Sequence, residues 1–198
     1  MSLKFLSNDI AITEIDADFN QLIYCIENIN NNTEFEKVFY RPHLTMKIPI
    51  DLDDINTKHL YLIKKIMINK IWPHVDNFSK KLNLSDIRYR KNIKVSKLLS
   101  NTQMETHVDE DNAIYCDLYL NDNYDGGEIV FTDLNISIKP TAGLLLIYLP
   151  YHPHKVNMVY NNDRYCIGHE FLLKNNERYS YGLDFNIKKK ELYGKTIE

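Results

Sequence analysis

The sequence predicts a mainly β chain, a sandwich or jelly roll with helices laid on one outer face. Three observations carry this expectation. From about Ile87 onward apolar residues alternate with period two in short segments, polar or Gly/Pro turns separate those segments closely, and the stretch before them repeats at helical spacing instead. The 198 residues fit one domain, able to bury roughly 70% of its unfolded surface. With 44% apolar and 26% charged residues, global disorder is excluded.

Taken in order, residues 1–86 are expected to be a mostly helical support region. Residues 17–29 place Phe19, Leu22, Ile23 and Ile26 on one face, and residues 57–72 place Leu60, Ile63, Met67 and Ile71 on one stripe with Lys64, Lys65 and Lys70 off it. Pro73 lacks an N–H and crowds the preceding turn, so the helix should break or restart there. Asn31-Asn-Thr33 and residues 83–86 read as loops. Residues 87–175 form the expected jelly-roll core, with strands at 93–99, 113–121, 128–133, 136–139, 144–149, 155–160 and 164–173. Gly126-Gly127 reads as a tight turn or bulge, and Pro140 and Gly143 as shapers of the turn into the apolar run 144–149. Residues 176–198 are a tail, and its Lys188-Lys-Lys190 reads as solvated surface. The 14 tyrosines are scattered and read as sheet packing.

Composition removes several function classes. The net charge is −3 and the isoelectric point about 6.2, without the basic footprint of a general nucleic-acid binder. No apolar run approaches the roughly 18–20 residues needed to span a bilayer, and the start has no signal-peptide core. Cys25, Cys116 and Cys166 are odd in number and far apart, which points to reduced thiols and a cytoplasmic location and gives no thiolate zinc motif.

The chemistry concentrates in His107-Val-Asp109. Side chains at i and i+2 of a strand point to one side and can grip one ion. The motif alone carries little, since about half a His-x-Asp match is expected by chance among seven histidines. A second match, His74-Val-Asp76, lies inside a helical pattern, where i and i+2 diverge by about 200°. His107-Val-Asp109 instead precedes a strong strand, and His154 follows 45 residues after Asp109 at the start of another. Two imidazoles and one carboxylate on one face of a metal leave the opposite positions open, which suits non-heme Fe(II). His152 competes with His154 as third ligand, and either could be an ordinary corner histidine.

Six elements then follow in order: His107-x-Asp109, Tyr119-Leu-Asn-Asp122, Gly126-Gly-Glu-Ile-Val-Phe131, Lys139-Pro140 with Gly143, His154, and Arg164-Tyr165 ten residues after that histidine. This pattern, over roughly residues 95–173, resembles the Fe(II)- and 2-oxoglutarate-dependent dioxygenases, specifically their prolyl 4-hydroxylase-like branch. The resemblance selects His154 and implies a double-stranded β-helix, the jelly-roll barrel of that family. It further implies Fe(II) on the catalytic residues His107, Asp109 and His154, 2-oxoglutarate anchored by Arg164 and Tyr119, and O2 as second cosubstrate. The implied reaction hydroxylates a C–H bond of a peptide side chain or a small molecule and releases succinate and CO2.

Physical chemistry supports the anchor, because an Arg directed into a barrel is costly unless an anion meets its fork. The plain alternatives are a surface salt bridge for Arg164 and a packed aromatic for Tyr119. If Arg164 and Tyr119 face inward, alternation turns Asp117, Glu170, Tyr115, Cys166 and Gly168 inward too. Relatives in the prolyl-hydroxylase-like branch usually show an apolar residue near Asp117 and often a Trp near Glu170. Two extra carboxylates would suit a cationic substrate, such as a basic amino acid or a basic peptide side chain; a neighbouring cation at Asp117 or a bulge at Glu170 would cancel this. The other readings are a non-catalytic sensor module that binds metal or 2-oxoglutarate and a cupin-like metal protein. Residues 100–106 and 151–153 are candidates for a substrate lid.

Overall fold

The structure, a computed structural model, describes residues 2–29, 36–37, 43–49, 58–84, 87–89, 92–109 and 113–173. The expected loop at Asn31-Asn-Thr33, the lysine run at 188–190 and the tail lie outside the described residues. In chain order the elements are β1 (Lys4–Phe5), β2 (Ile10–Glu14), α1 (Phe19–Glu27), β3 (Glu36–Lys37), β4 (His43–Pro49), α2 (Lys58–Ile66), a π-helical turn (Met67–Ile71), α3 (Trp72–Lys81), β5 (Ile87–Tyr89), β6 (Asn92–Leu98), β7 (Met104–His107), β8 (Ala113–Tyr119), β9 (Asp125–Gly126), β10 (Ile129–Phe131), β11 (Ile136–Ile138), β12 (Leu144–Tyr148), β13 (His154–Val156), β14 (Val159–Tyr160) and β15 (Arg164–Leu173).

The architecture is a jelly roll. A major sheet runs β1-β2-β12-β8-β15-β6-β4-β3 with β5 added to β15, a minor sheet runs β11-β10-β13-β7, and β9 pairs with β14. The two faces of the major sheet serve different purposes. Ile114, Cys116, Leu118, Leu145, Ile147, Ile167 and Phe171 point outward to the helices, while Tyr115, Tyr119, Leu144, Leu146, Tyr148 and Cys166 point inward to Ile129, Phe131 and Ile138 of the minor sheet. This period-two division is what places alternate side chains of β8 and β15 in the chamber between the sheets.

The helices cover the outer face as their apolar stripes predict. Asp18 caps α1 by accepting from Gln21 N–H at 2.9 Å, and Leu22, Cys25 and Ile26 are buried. In the second helical run, the buried Ile63, Met67, Ile71 and Val75 recur every four residues. At 3.6 residues per turn such a stripe drifts by about 40° per step. The π turn absorbs part of that drift, because Trp72 N–H donates to Met67 O, a five-residue closure, and α3 restarts with Pro73 in its first turn. Trp72 then packs on Phe171 of β15, with ring centroids 5.4 Å apart, and Phe78 stacks on Phe5 at 5.7 Å. A fully buried Phe such as Phe78 contributes roughly 1.5–3 kcal/mol.

Two local expectations need correction and one needs an addition. The helical first half also carries strands, since β2 and β4 join the major sheet, β2 against β12 and β4 against β6. β2 is apolar on both faces, Ile10 inward and Ala11 outward, so it shows no clean alternation. The expected strand 155–160 is two strands in different sheets, with Asn157 N–H donating to Glu128 O between them. The candidate lid 100–106 contains β7, and at 151–153 the side chains of Tyr151 and His152 are buried.

The glycine pair behaves as the sequence suggests. Gly126 and Gly127 have φ of +66° and +71°, and a Cβ on Gly126 would stand 1.9 Å from Met158 O. Gly126→Ala therefore has to force β9 and β14 apart. The expected loss is about 2–4 kcal/mol of unfolding free energy, read by urea denaturation.

Candidate metal centre

The site is assembled on the minor sheet. β7 and β13 pair antiparallel with His107 directly opposite His154, and β13 pairs with β10 so that His154 also faces Phe131. The two imidazole centroids are 4.4 Å apart at 53°. Just beyond the end of β7, Asp109 is fixed by its N–H donating to Pro150 O at 3.2 Å. His154 Nε2 lies 3.4 Å from Asp109 Oδ2, and His107 Nε2 lies 3.9 Å from Oδ1. One ligand atom from each of the three residues falls within 4.8 Å of the others, the only such group of His, Cys, Asp or Glu among the described residues.

Each ring is oriented by backbone. His107 Nδ1 lies 2.8 Å from Glu105 O and His154 Nδ1 lies 2.9 Å from His152 O. A carbonyl can only accept, so each Nδ1 carries the hydrogen and each Nε2 presents a lone pair to the centre. Asp109 is held from the other side, where the Tyr148 hydroxyl donates to Oδ2 at 2.9 Å. Tyr148 is itself caged by Tyr115, Phe131 and His154, at ring distances of 5.8, 5.4 and 5.3 Å. Burial, together with the Asp109 charge, pushes the Tyr148 phenol well above its ordinary pKa, so it stays a donor.

The other histidines are used differently. His152 has Asp9 Oδ2 2.9 Å from Nε2 and Asp133 Oδ2 2.8 Å from Nδ1, so both of its nitrogens face carboxylates outside the centre. Its carbonyl positions His154 instead. Burial raises the Asp9 carboxyl, but the hydrogen bond and charge of His152 with the Ser7 hydroxyl outweigh this and hold it below its usual range. His74 and Asp76 lie on α3, where Asp76 pairs with Lys80 at 2.6 Å. A separate groove of about 690 Å3, lined by Phe19, Asn121 and Tyr165 among others, contains none of these residues.

Arg164 opens β15 and is 7% exposed. Nη1 donates to Gly127 O at 3.0 Å, and the guanidinium lies 5.2 Å from the centroid of Tyr119. Its Nε is buried with no hydrogen-bond partner, and no carboxylate among the described residues reaches it. Tyr119 is buried beside it, and burial holds its hydroxyl protonated. An anion fits here, because a buried cation with an unused donor calls for an acceptor. The Tyr124 hydroxyl is likewise buried without a partner, and its ring would meet a Cβ on Gly127, the residue whose carbonyl takes Arg164.

Asp117 and Glu170 sit on inward positions of β8 and β15. Asp117 lies opposite Gly168, where a Cβ would stand 2.7 Å from Oδ1, and receives the Cys166 thiol at 3.4 Å. Burial raises its pKa, the Asp109 charge adds to this, and Cys166, Arg164 and His154 pull the other way. Glu170 instead forms an ion pair with Lys94 of β6. Tyr148 and Tyr124 were outside the sequence-derived set. The available signal for Tyr148 was a hydroxyl ending an otherwise apolar buried run, which requires a partner.

Residues 69–169 match the family model described as the 2OG-Fe(II) oxygenase superfamily. No curated protein matches the chain significantly. Similar solved structures include a 2OG-Fe(II) oxygenase family oxidoreductase from Burkholderia pseudomallei, at 17% identity and TM-score 0.60, over 86% of this chain and 87% of that one. A prolyl hydroxylase from Trichoplax adhaerens, in complex with a hypoxia inducible factor peptide fragment, has 18% identity and TM-score 0.61 over 85% of each chain. A viral collagen prolyl hydroxylase from Paramecium bursaria Chlorella virus-1, as its 2OG complex, has 14% identity and TM-score 0.59 over 84% of this chain and 96% of that one. At these identities the solved structures establish the fold.

The ring orientation gives a direct test. In the metal-free protein at mildly alkaline pH, two-bond 1H–15N spectra should show the Nδ1–H tautomer for both His107 and His154.

Proposed function

The chain belongs to the 2OG-Fe(II) oxygenase superfamily, and from that premise we propose that His107, Asp109 and His154 hold its iron while Arg164 and Tyr119 hold its keto acid. The protein is a 2-oxoglutarate-dependent oxygenase, with Fe(II), 2-oxoglutarate and O2 as its cofactor and cosubstrates. When bound, these supply decarboxylation of the keto acid to succinate and CO2, with one oxygen atom entering succinate and the other a substrate C–H bond as hydroxyl.

The chain's own residues do the positioning. His107 and His154 offer Nε2 lone pairs because backbone carbonyls hold their Nδ1 hydrogens. Asp109 brings the negative charge of the ligand set, braced by Tyr148. Arg164 presents a planar fork that pairs with a carboxylate through parallel hydrogen bonds, and Tyr119 adds a hydroxyl donor beside it. Phe131, Leu146, Tyr115 and Ile129 line the chamber and exclude water around the reacting groups.

The observation that carries this reading is the buried Arg164 Nε without a partner, in the same chamber as the histidine–carboxylate cluster. A cupin-like, metal-only role leaves that donor with nothing to meet. A sensor that binds the keto acid without turnover uses the same residues and differs in producing no succinate. The substrate is a peptide side chain or a small molecule, and the peptide complex of the Trichoplax relative supports the former. The setting is a reducing cytoplasm, supported by three buried free thiols. No helix among the described residues is long and apolar enough to cross a membrane.

Succinate release that requires both Fe(II) and 2-oxoglutarate tests the reading, and its absence from metal-loaded protein would overturn turnover. Asp109→Ala is expected to weaken metal binding by more than about a hundredfold, beyond the loss typical of outer-sphere changes, as read by calorimetry. Arg164→Ala should raise the 2-oxoglutarate Kd about 10- to 100-fold with metal affinity retained, matching loss of a charge-assisted hydrogen bond. Tyr148→Phe keeps the ring and removes the brace. It should lower metal affinity about tenfold and shift the visible spectrum of the Co(II)-loaded protein.

A further inference from the structure

We infer that Asp117 anchors a positively charged group of the primary substrate, so that the molecule this enzyme oxidises carries an ammonium or guanidinium. The inference rests on the proposed iron and keto-acid site and adds the class of its substrate. Its first ground is position. Asp117 stands on β8 between Tyr115, which stacks on the Tyr148 that braces Asp109, and Tyr119, which lies beneath Arg164. It therefore faces the space between the metal cluster and the anion anchor, and unlike Tyr119 and Arg164 it is only partly buried.

The second ground is fit. Gly168 is the residue opposite, and a Cβ there would stand 2.7 Å from Asp117 Oδ1, so the lack of a side chain at 168 is what admits a carboxylate at this inward position.

The third ground is charge. Asp117 takes one weak hydrogen bond, from the Cys166 thiol, and no Lys, Arg or His among the described residues lies within ion-pair distance. Glu170, two positions farther along the facing strand, is answered by Lys94. So, among the described residues, one inward acid has a cation beside it and the other has none. In the loaded chamber a divalent metal and Arg164 carry three positive charges, which Asp109 and the doubly charged keto acid already balance. Among the described residues, Asp117 then leaves one negative charge over, in a place where an unmatched charge is costly. A cationic substrate group supplies the balance and, in doing so, favours substrates that carry it over neutral ones of the same shape.

The test uses the protein loaded with Mn(II) and 2-oxoglutarate, which permits binding to be read without turnover. The probes are free lysine and arginine and capped Gly-Gly-X-Gly-Gly peptides with X as lysine, arginine, norleucine or citrulline. Calorimetry and paramagnetic relaxation of probe protons report affinity and distance to the metal. The expected result is at least one lysine or arginine probe binding tenfold or more tighter than its neutral counterpart, with proton relaxation placing it beside the metal. Asp117→Asn should abolish that preference without weakening 2-oxoglutarate binding, and Glu170→Gln should keep it.

Two results would overturn the inference. One is equal binding of cationic and neutral probes. The other is uptake of about one proton when 2-oxoglutarate binds the wild type but not Asp117→Asn, shown by titration in buffers of different ionisation enthalpy. That outcome would mean that protonation, and not a substrate cation, neutralises Asp117. Fe(II)-dependent succinate formation in the wild type, run alongside, separates either failure from failure of the oxygenase reading itself.

Discussion

The pairing of β7 with β13 is the constraint on which the site depends. It sets His107 opposite His154 across one antiparallel register, so two imidazoles from residues 47 positions apart start from neighbouring backbone sites. Everything else at the centre refines that placement. Two carbonyls choose the tautomer, Pro150 O holds the Asp109 backbone, and Tyr148 reaches across from the major sheet to the carboxylate. A one-residue slip of β7 would point His107 to the opposite face and leave Asp109 without its partners.

The major sheet contributes the second half of the chemistry through its alternation. Arg164, Cys166, Gly168 and Glu170 share one side of β15, and Tyr115, Asp117 and Tyr119 share one side of β8. The outward residues between them, Ile167, Phe171, Cys116 and Leu118, are locked under the helices, which fixes the inward set in turn. The helical layer therefore acts on the site through the sheet that it covers.

Much of this was legible in the sequence, for physical reasons that can be named. His107 and Asp109 stood out as a ligand pair at strand spacing, and the resemblance to the dioxygenase pattern then selected His154 and Arg164. Inward facing of Asp117 and Glu170 followed from period two once the resemblance had set Arg164 and Tyr119 inward. The partner of Glu170 did not, because Lys94 lies 76 residues away on a strand whose register is a tertiary property. Tyr148 was hidden for a similar reason, its hydroxyl serving a carboxylate 39 residues upstream. β2 was obscured by burial on both faces, and β4, which does alternate, is a short segment lying between two helical patterns.

The amino-terminal strand ties distant ends of the chain together. β2 lies against β12 and Asp9 reaches His152, so residues 9–14 brace the corner from which His154 departs, some 140 positions later. During synthesis on the ribosome that strand emerges early and can pair with β1, but its other edge must wait for β12 until most of the polypeptide has followed. Maturation of this protein is thus governed by a late, long-range closure, the kind of topology that folds slowly and leaves an exposed edge in the interval.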